Sequence, residues 1–452
     1  MSLLKWLFWV YFLLLIFEGA LRKWILPQFS APLLLVRDPV SLLIIWEAYR
    51  TQKWPKRWSS VAGVLASAIL VLAVLQVVVA ENPWFVAIYG LRSFLLPFPV
   101  AFIMGENLDA EDLRKFGRWI LFLLLPEVIL EAAQYLAPAT SFLNKGAYKG
   151  MEQIGSAGGH LRASGTFSFA HGSSAFVSLA AVFVLYAMVD RKFVPRWLLW
   201  ASSLALIVAI PVTASRALVV NLLLLLAFVV LAALFSVSQF AQTIKIILAL
   251  LFVSLAATQL PVFSSAMGTF TERLSTASES EGGTEGTLNR RIASPLQTML
   301  TFDYESAPWY GNGLGMGSNV ASTLLIGTQV FLAGEGEVSR LLFEFGPFAG
   351  FAFLFFRLGL GLFLTARAFV LLIDGRSLAW LLVPGMFVSV LLSTLEQPTL
   401  QGFVVISLAF CIAATRSSDT PLPDANSVPT PRPTRLRLKP AVRGDRVRPG
   451  IR

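Results

Sequence analysis

The chain has 452 residues, 56% of them hydrophobic and 14% charged, with a mean hydropathy of +0.71. An ordinary soluble domain carries about 25% charged residues, and single cores stop growing near about 250–300 residues, so a soluble enzyme, a nucleic-acid-binding module, a secreted disulfide scaffold and a disordered chain all give way to a polytopic membrane protein. The net charge of +10 is no signature of nucleic acid, because the residues after Thr415 hold nine basic and three acidic groups and carry +6 of it.

Twelve apolar stretches are of membrane-crossing length: 4–21, 31–49, 61–80, 84–104, 117–137, 173–189, 197–213, 217–235, 244–261, 341–365, 378–395 and 400–415. The first resembles a signal peptide, but Glu18-Gly19-Ala20-Leu21-Arg22-Lys23 follows with no small-residue cleavage site, so an uncleaved first span is expected. Cys411, the single cysteine, lies inside an apolar run, and one cysteine makes no intrachain disulfide or zinc site. With the N-terminus in the cytoplasm, cytoplasmic segments hold 23 Lys and Arg against 10 outside, with Arg37, Arg92 and Arg357 inside spans. That asymmetry puts both termini in the cytoplasm.

The expected fold is therefore all-α. A transmembrane helical domain covers 1–415, with external loops at 138–172 and 262–340, the second between spans nine and ten. Ser275 to Thr287 is Gly/Ser/Thr/Glu-rich and is expected to be mobile; Ala307 to Ser318 is aromatic and Gly-rich. The tail, 416–452, is Pro- and Arg-rich without periodicity and reads as disordered, either touching anionic lipid or solvated.

Ionisable groups at the membrane boundary are the next signal. Arg162 lies in Arg162-Ala163-Ser164-Gly165-Thr166-Phe167, Arg216 in Thr213-Ala214-Ser215-Arg216, and Arg290 and Arg291 in the long external loop. All fall on the external side. The guanidinium fork donates two parallel hydrogen bonds and stays charged, which suits a diphosphate; local pairing or snorkelling is the competing role for each arginine. Glu335 stands between glycines and is free of a helical-spacing partner, which suits a carboxylate that activates a hydroxyl. Glu337 is a neighbouring candidate, and Arg340 with Glu344 at i+4 forms a structural pair. His160 and His171 bracket the Arg162 motif without a third ligand, so no metal is assigned, and hydrogen bonding to neighbouring loop backbone is expected. Glu127 and Glu131 share a helix face, one of them protonated or paired with an arginine such as Arg92.

The order of these motifs resembles the O-antigen ligase and O-antigen polymerase superfamily of bacterial membrane glycosyltransferases. The likeness rests on Arg-x-Ser-Gly-Thr-Phe, Ser215-Arg216, the paired arginines, Trp309-Tyr310-Gly311-Asn312-Gly313-Leu314-Gly315 and the run from Glu335 to Gly346, and it covers roughly 85–416. Glu18 to Trp24 with Arg37-Asp38-Pro39 is similar to a subgroup found in exopolysaccharide loci. The resemblance implies a twelve-span protein of the bacterial inner membrane with its active site in the periplasm. It implies an undecaprenyl-diphosphate-linked glycan donor, a glycan or lipid-linked acceptor, membrane lipids and envelope polysaccharide assembly proteins as partners, and no cofactor or metal. Arg216 and Arg290 or Arg291 match the family's diphosphate arginines. The ligases carry a histidine eleven residues before the Gly of Glu-x-Gly; here that position is Glu335, which tilts the expectation towards a polymerase or exopolysaccharide enzyme.

On this reading Arg162, Arg216, Arg290 and Arg291 hold the diphosphate and Arg216 and Glu335 are catalytic. Glu337, Arg340, His171, Trp309 and Tyr310 support them, the two aromatics by stacking on sugar or by packing on the membrane surface. A polytopic transporter or flippase of lipid-linked sugars is the alternative, since twelve helices with both ends inside describe many of those too.

Overall fold

The computed structural model describes residues 2–147, 160–235, 237–281, 294–301, 308–318 and 336–416, and every regular element among them is helical. α1 (Leu3–Ala20), whose first turn is capped by the Ser2 hydroxyl, runs on into a π-helical turn, Leu21–Ile25. α2 (Ser30–Leu33), α3 (Arg37–Arg50) and α4 (Lys56–Val79) follow. α5 (Trp84–Leu95) and α6 (Pro97–Asn107) together are long and apolar enough for one span. α7 (Ala110–Leu136) starts on a reciprocal cap between Asp109 and Asp112, which satisfies backbone N–H groups that an opening helix leaves unpaired.

α8 (Ala170–Val189), α9 (Arg196–Thr213) and α10 (Arg216–Ala233) are joined by short connections, so consecutive helices run antiparallel. The α9–α10 turn is only Ala214 and Ser215. Ala214 takes a left-handed φ of 45°, and the Ser215 hydroxyl accepts the Leu218 N–H to cap α10. The chain continues through α11 (Val237–Ala257), α12 (Pro261–Glu281), α13 (Ser294–Thr301), α14 (Glu337–Ile373), α15 (Ser377–Leu392) and α16 (Pro398–Arg416).

All twelve apolar stretches fall on helices, but nine helices among the described residues are long and apolar enough to cross a membrane. The other three stretches are altered. The stretch at 31–49 is a pair bent by 41° between Pro27–Leu33 and Arg37–Arg50; that at 244–261 ends at Ala257, where the chain turns by 102° into α12. α15, at 16 residues, falls short of a full crossing. The external segment 262–340 is not all loop either. α12 carries Ser275 to Glu281 of the stretch expected to be mobile, α13 lies within it, and Glu337 to Arg340 belong to α14; the rest of the stretch, 282–287, lies outside the described residues.

The distribution of apolar surface is that of a multi-pass membrane protein. α8 and α16 are apolar all round and mostly buried, at the centre of the bundle. α4 instead turns Val64, Val71, Val74 and Val78 outward, 64–73% exposed, a strip that water would penalise and hydrocarbon does not. The centre is tight: α16 lies so close to α6 that a side chain on Gly105 would meet Ile412.

α14 is not one straight rod. Gly346 sits at φ 75°, ψ 171°, and Pro347 follows without an N–H to donate. In an unbroken helix, residues 337 and 357 would stand about 30 Å apart. Instead the Arg357 guanidinium meets the Glu337 carboxylate at 2.5 Å, and the rings of Phe345 and Phe353 stack at 5.2 Å. Glu337 to Phe345 therefore doubles back along the helix that begins at Pro347.

Candidate functional site

Two buried polar assemblies stand out, and each centres on a motif visible in the sequence. The first surrounds the stretch from Arg162 to Ser168, between α7 and α8. From α1, the Lys23 ammonium donates to Ser164 Oγ at 2.7 Å and to the Gly165 carbonyl at 3.0 Å, and Arg22 donates to Ser168 Oγ at 2.9 Å. The Thr166 hydroxyl donates to the Ile16 carbonyl at 2.8 Å. From α7, Gln134 Oε1 accepts the N–H groups of Ser164 and Gly165 at 3.1 and 2.8 Å, and Glu127 accepts that of Thr166 at 2.9 Å. Gly165 has φ 55°, and Glu127 occupies the space that a Cβ there would need.

The pair Glu127 and Glu131 is served locally rather than by Arg92. The Ser173 hydroxyl donates to Glu131, and Lys23 is the cation whose field reaches both acids. Arg92 bonds Asp38 of α3 at 2.6 Å instead. Glu18 is held by Arg22 at 3.4 Å and by Arg37 at 3.3 Å, so the two N-terminal motifs, Glu18 to Trp24 and Arg37-Asp38-Pro39, meet here. His160 contacts backbone of helix α7 rather than of the neighbouring loop: its Nδ1 lies 3.0 Å from the Tyr135 carbonyl, with the two rings stacked at 4.2 Å. The Tyr135 hydroxyl reaches Thr269 of α12 at 2.9 Å.

Arg162 is half-buried on this stretch, and Arg216 is half-buried as the first residue of α10. Because α7 to α10 run up and down in turn, the Arg162 stretch and the Arg216 turn fall at the same end of the bundle. His171 is exposed in the first turn of α8. Glu335, Arg290 and Arg291 lie outside the described residues.

The second assembly is built on the α14 hairpin. Arg340 pairs with Glu337 at 2.9 Å, Glu396 at 3.5 Å and Glu344 at 3.6 Å; Arg357 pairs with Glu337 and donates to the Val390 and Ser393 carbonyls. All five side chains are buried. Glu344 also accepts the N–H groups of Gly315 and Gly317, each at 3.0 Å. Gln76 of α4 completes the seat of the Gly-rich segment. It donates to the Tyr310 and Glu344 carbonyls, each at 2.6 Å, and accepts the Leu314 N–H at 2.8 Å.

Charge balance follows from this geometry. Three carboxyls face two guanidiniums. Glu396, between α15 and α16, is pushed well above the usual carboxylate range by burial, against the opposing pull of Arg340. With its proton on, the five side chains are neutral together.

Several sequence expectations change in this light. Glu337 is engaged by both Arg340 and Arg357, so its carboxylate and Arg340 hold the hairpin together. Trp309 is exposed, whereas Tyr310 is half-buried, in edge contact with Trp309 at 5.3 Å, and packs on the core. Sequence reasoning missed Lys23, Gln134, Gln76 and Glu396. A polar or charged residue inside or at the edge of an apolar stretch was the available signal for each, and only the tertiary partner reveals its purpose. No family model matches the sequence, and no match is found among curated proteins or solved structures.

Proposed function

We propose that the protein is a membrane glycosyltransferase that polymerises or ligates undecaprenyl-diphosphate-linked glycans at the periplasmic face of a bacterial inner membrane, with both termini cytoplasmic, for O-antigen or exopolysaccharide assembly. The observation that carries the reading is the Arg162 stretch, tied from two helices by buried hydrogen bonds at the same end of the bundle as Arg216. Fixed donors of this kind stabilise charge that develops on a leaving group, because they need little reorganisation as it appears. The resemblance of the motif order to the O-antigen ligase and polymerase superfamily supplies the substrate.

In the reaction, the acceptor hydroxyl oxygen bonds to the donor's anomeric carbon from the face opposite the diphosphate. The carbon–oxygen bond to the diphosphate breaks, and its electron pair leaves on the undecaprenyl diphosphate. Arg162, Arg216 and Arg290 or Arg291 hold that anion, and Glu335 takes the hydroxyl proton. The attack inverts the anomeric centre.

A second reading, a flippase for the same lipid-linked sugar, draws on one observation. α14 turns back at Gly346 with Arg357 buried below the turn, and broken helices beside buried ionisable groups are typical of secondary transporters. The two readings separate in vesicles carrying the full-length protein and an undecaprenyl-diphosphate-linked repeat unit. A transferase consumes the lipid-linked sugar and releases undecaprenyl diphosphate; movement of intact lipid between leaflets without consumption favours the flippase.

A further inference from the structure

α1 ends in a feature that the proposed reaction does not itself require. In a regular helix, successive side chains point about 100° apart, since 3.6 residues complete a turn. Arg22 and Lys23 are nevertheless both buried, at 4% and 1% exposure. The π-helical turn Leu21–Ile25 widens the spiral where they sit, and such single turns recur at functional sites. Both cations reach one short piece of chain, Lys23 through Ser164 and Gly165 and Arg22, which also pairs with Glu18, through Ser168. Across that piece, Gln134 takes the two N–H groups next to the Lys23 contacts.

We infer that Lys23 is a positioning residue for the anion site: the π-turn of the first helix clamps Ser164 and Gly165 against Gln134 and thereby fixes the backbone that presents Arg162. The functional half of this inference rests on the diphosphate reading above; the structural half does not. An ammonium fits the task. It has three donors and no acceptor, so it bridges the Ser164 hydroxyl and the Gly165 carbonyl at once. It also lies in the field of Glu127 and Glu131, which acts against the larger cost of burying its charge. Lys23 touches neither donor nor acceptor; it acts through Arg162.

The test uses full-length protein in nanodiscs with four variants and undecaprenyl diphosphate as the probe. Lys23→Met keeps most of the side chain's length and removes the charge; Ser164→Ala removes one acceptor and leaves Lys23 in place, so it serves if Lys23→Met does not fold. Lys23→Arg keeps the charge and the donors. Arg162→Ala tests the diphosphate reading separately. In Lys23→Met, amide hydrogen exchange at Ser164 to Thr166 accelerates and probe affinity falls, each about tenfold or more, the scale of losing hydrogen bonds to a charged group. Ser164→Ala shifts both in the same direction by less, and Lys23→Arg recovers most of the affinity. Unchanged exchange in Lys23→Met, or in Ser164→Ala if that variant alone folds, overturns the clamp. Faster exchange with unchanged affinity, while Arg162→Ala loses affinity, overturns the positioning role. If Arg162→Ala binds the probe as well as wild type, the diphosphate reading fails, and the functional half of the inference is overturned with it.

Discussion

Arg357 and Glu337, twenty residues apart within α14, form a buried ion pair with Nη1 2.5 Å from Oε1. A straight helix cannot make that contact, so the pair reports the reversal at Gly346. Breaking it strands a charge inside the bundle. Arg357→Met is expected to destabilise the protein by about 3–5 kcal/mol, as removing one partner of a buried pair does. The double variant Arg357→Met with Glu337→Gln should recover much of that loss. Thermal unfolding of both single variants and the double variant in detergent checks it, and a double-variant loss equal to the sum of the two single losses would mean that the pair is not coupled.

The reversal itself is open to a direct test. Cysteines placed at Phe345 and Phe353 should be joined by a short bifunctional thiol reagent of about 5 Å span, because the two rings stack at 5.2 Å. In an unbroken helix those positions lie about 12 Å apart along the axis and cannot be bridged by it. Gly346→Ala should cost about 1–3 kcal/mol from backbone strain alone, since φ is 75° there. The added Cβ would also meet the Trp309 carbonyl, which increases the loss.

Glu396 gives the fold a pH dependence. Burial raises its carboxyl above the ordinary value, and Arg340 pulls the other way; Glu344 and Glu337 are the other acids of the cluster, Arg357 the other cation, and Tyr89 the hydroxyl that donates to its backbone carbonyl at 3.2 Å. A group with a raised folded pKa binds more protons folded than unfolded. Its contribution is complete below the unfolded value of about 4.3 and is lost as pH climbs towards the folded one. The apparent unfolding midpoint should therefore fall over that rise, and Glu396→Gln should flatten the profile. An unchanged slope in that variant would assign the titration to another group.

The sequence made much of this legible, and the misses have physical causes. Hydropathy located the helices because burial in hydrocarbon demands long apolar runs. It could not locate the bend after Ala257 or the reversal at Gly346, because both lie inside or beside apolar sequence and composition is blind to direction. Gly346-Pro347 was the available sign of a break, but a break does not say whether the chain kinks or turns back. The arginine motifs were visible as charges in the wrong place. Lys23 and Gln134, which hold the Arg162 stretch, were not singled out, because each is an ordinary residue whose partners in that stretch lie thirty or more positions away. Glu337 looked available in sequence because Arg357 seemed remote.

Gly165 links the sequence motif to its seat. Gly165→Ala should collide with Glu127 and force a left-handed φ of 55° on a residue that resists it. The expected result is faster amide exchange across 163–168 with smaller changes in α9. Uniform acceleration through the whole bundle would instead mark Gly165 as a general packing position.

The most direct measurement of the central claim is single-turnover release of undecaprenyl diphosphate from a lipid-linked repeat unit by the purified full-length protein, run beside Arg216→Ala. The account predicts that wild type releases the diphosphate and extends or transfers the glycan. Arg216→Ala, equally abundant and equally stable, should be slower by a hundredfold or more, the scale of losing one fixed donor to a developing oxyanion at about 10²–10³. Release at the wild-type rate by Arg216→Ala, or no release by wild type with donor and acceptor both present, would contradict it.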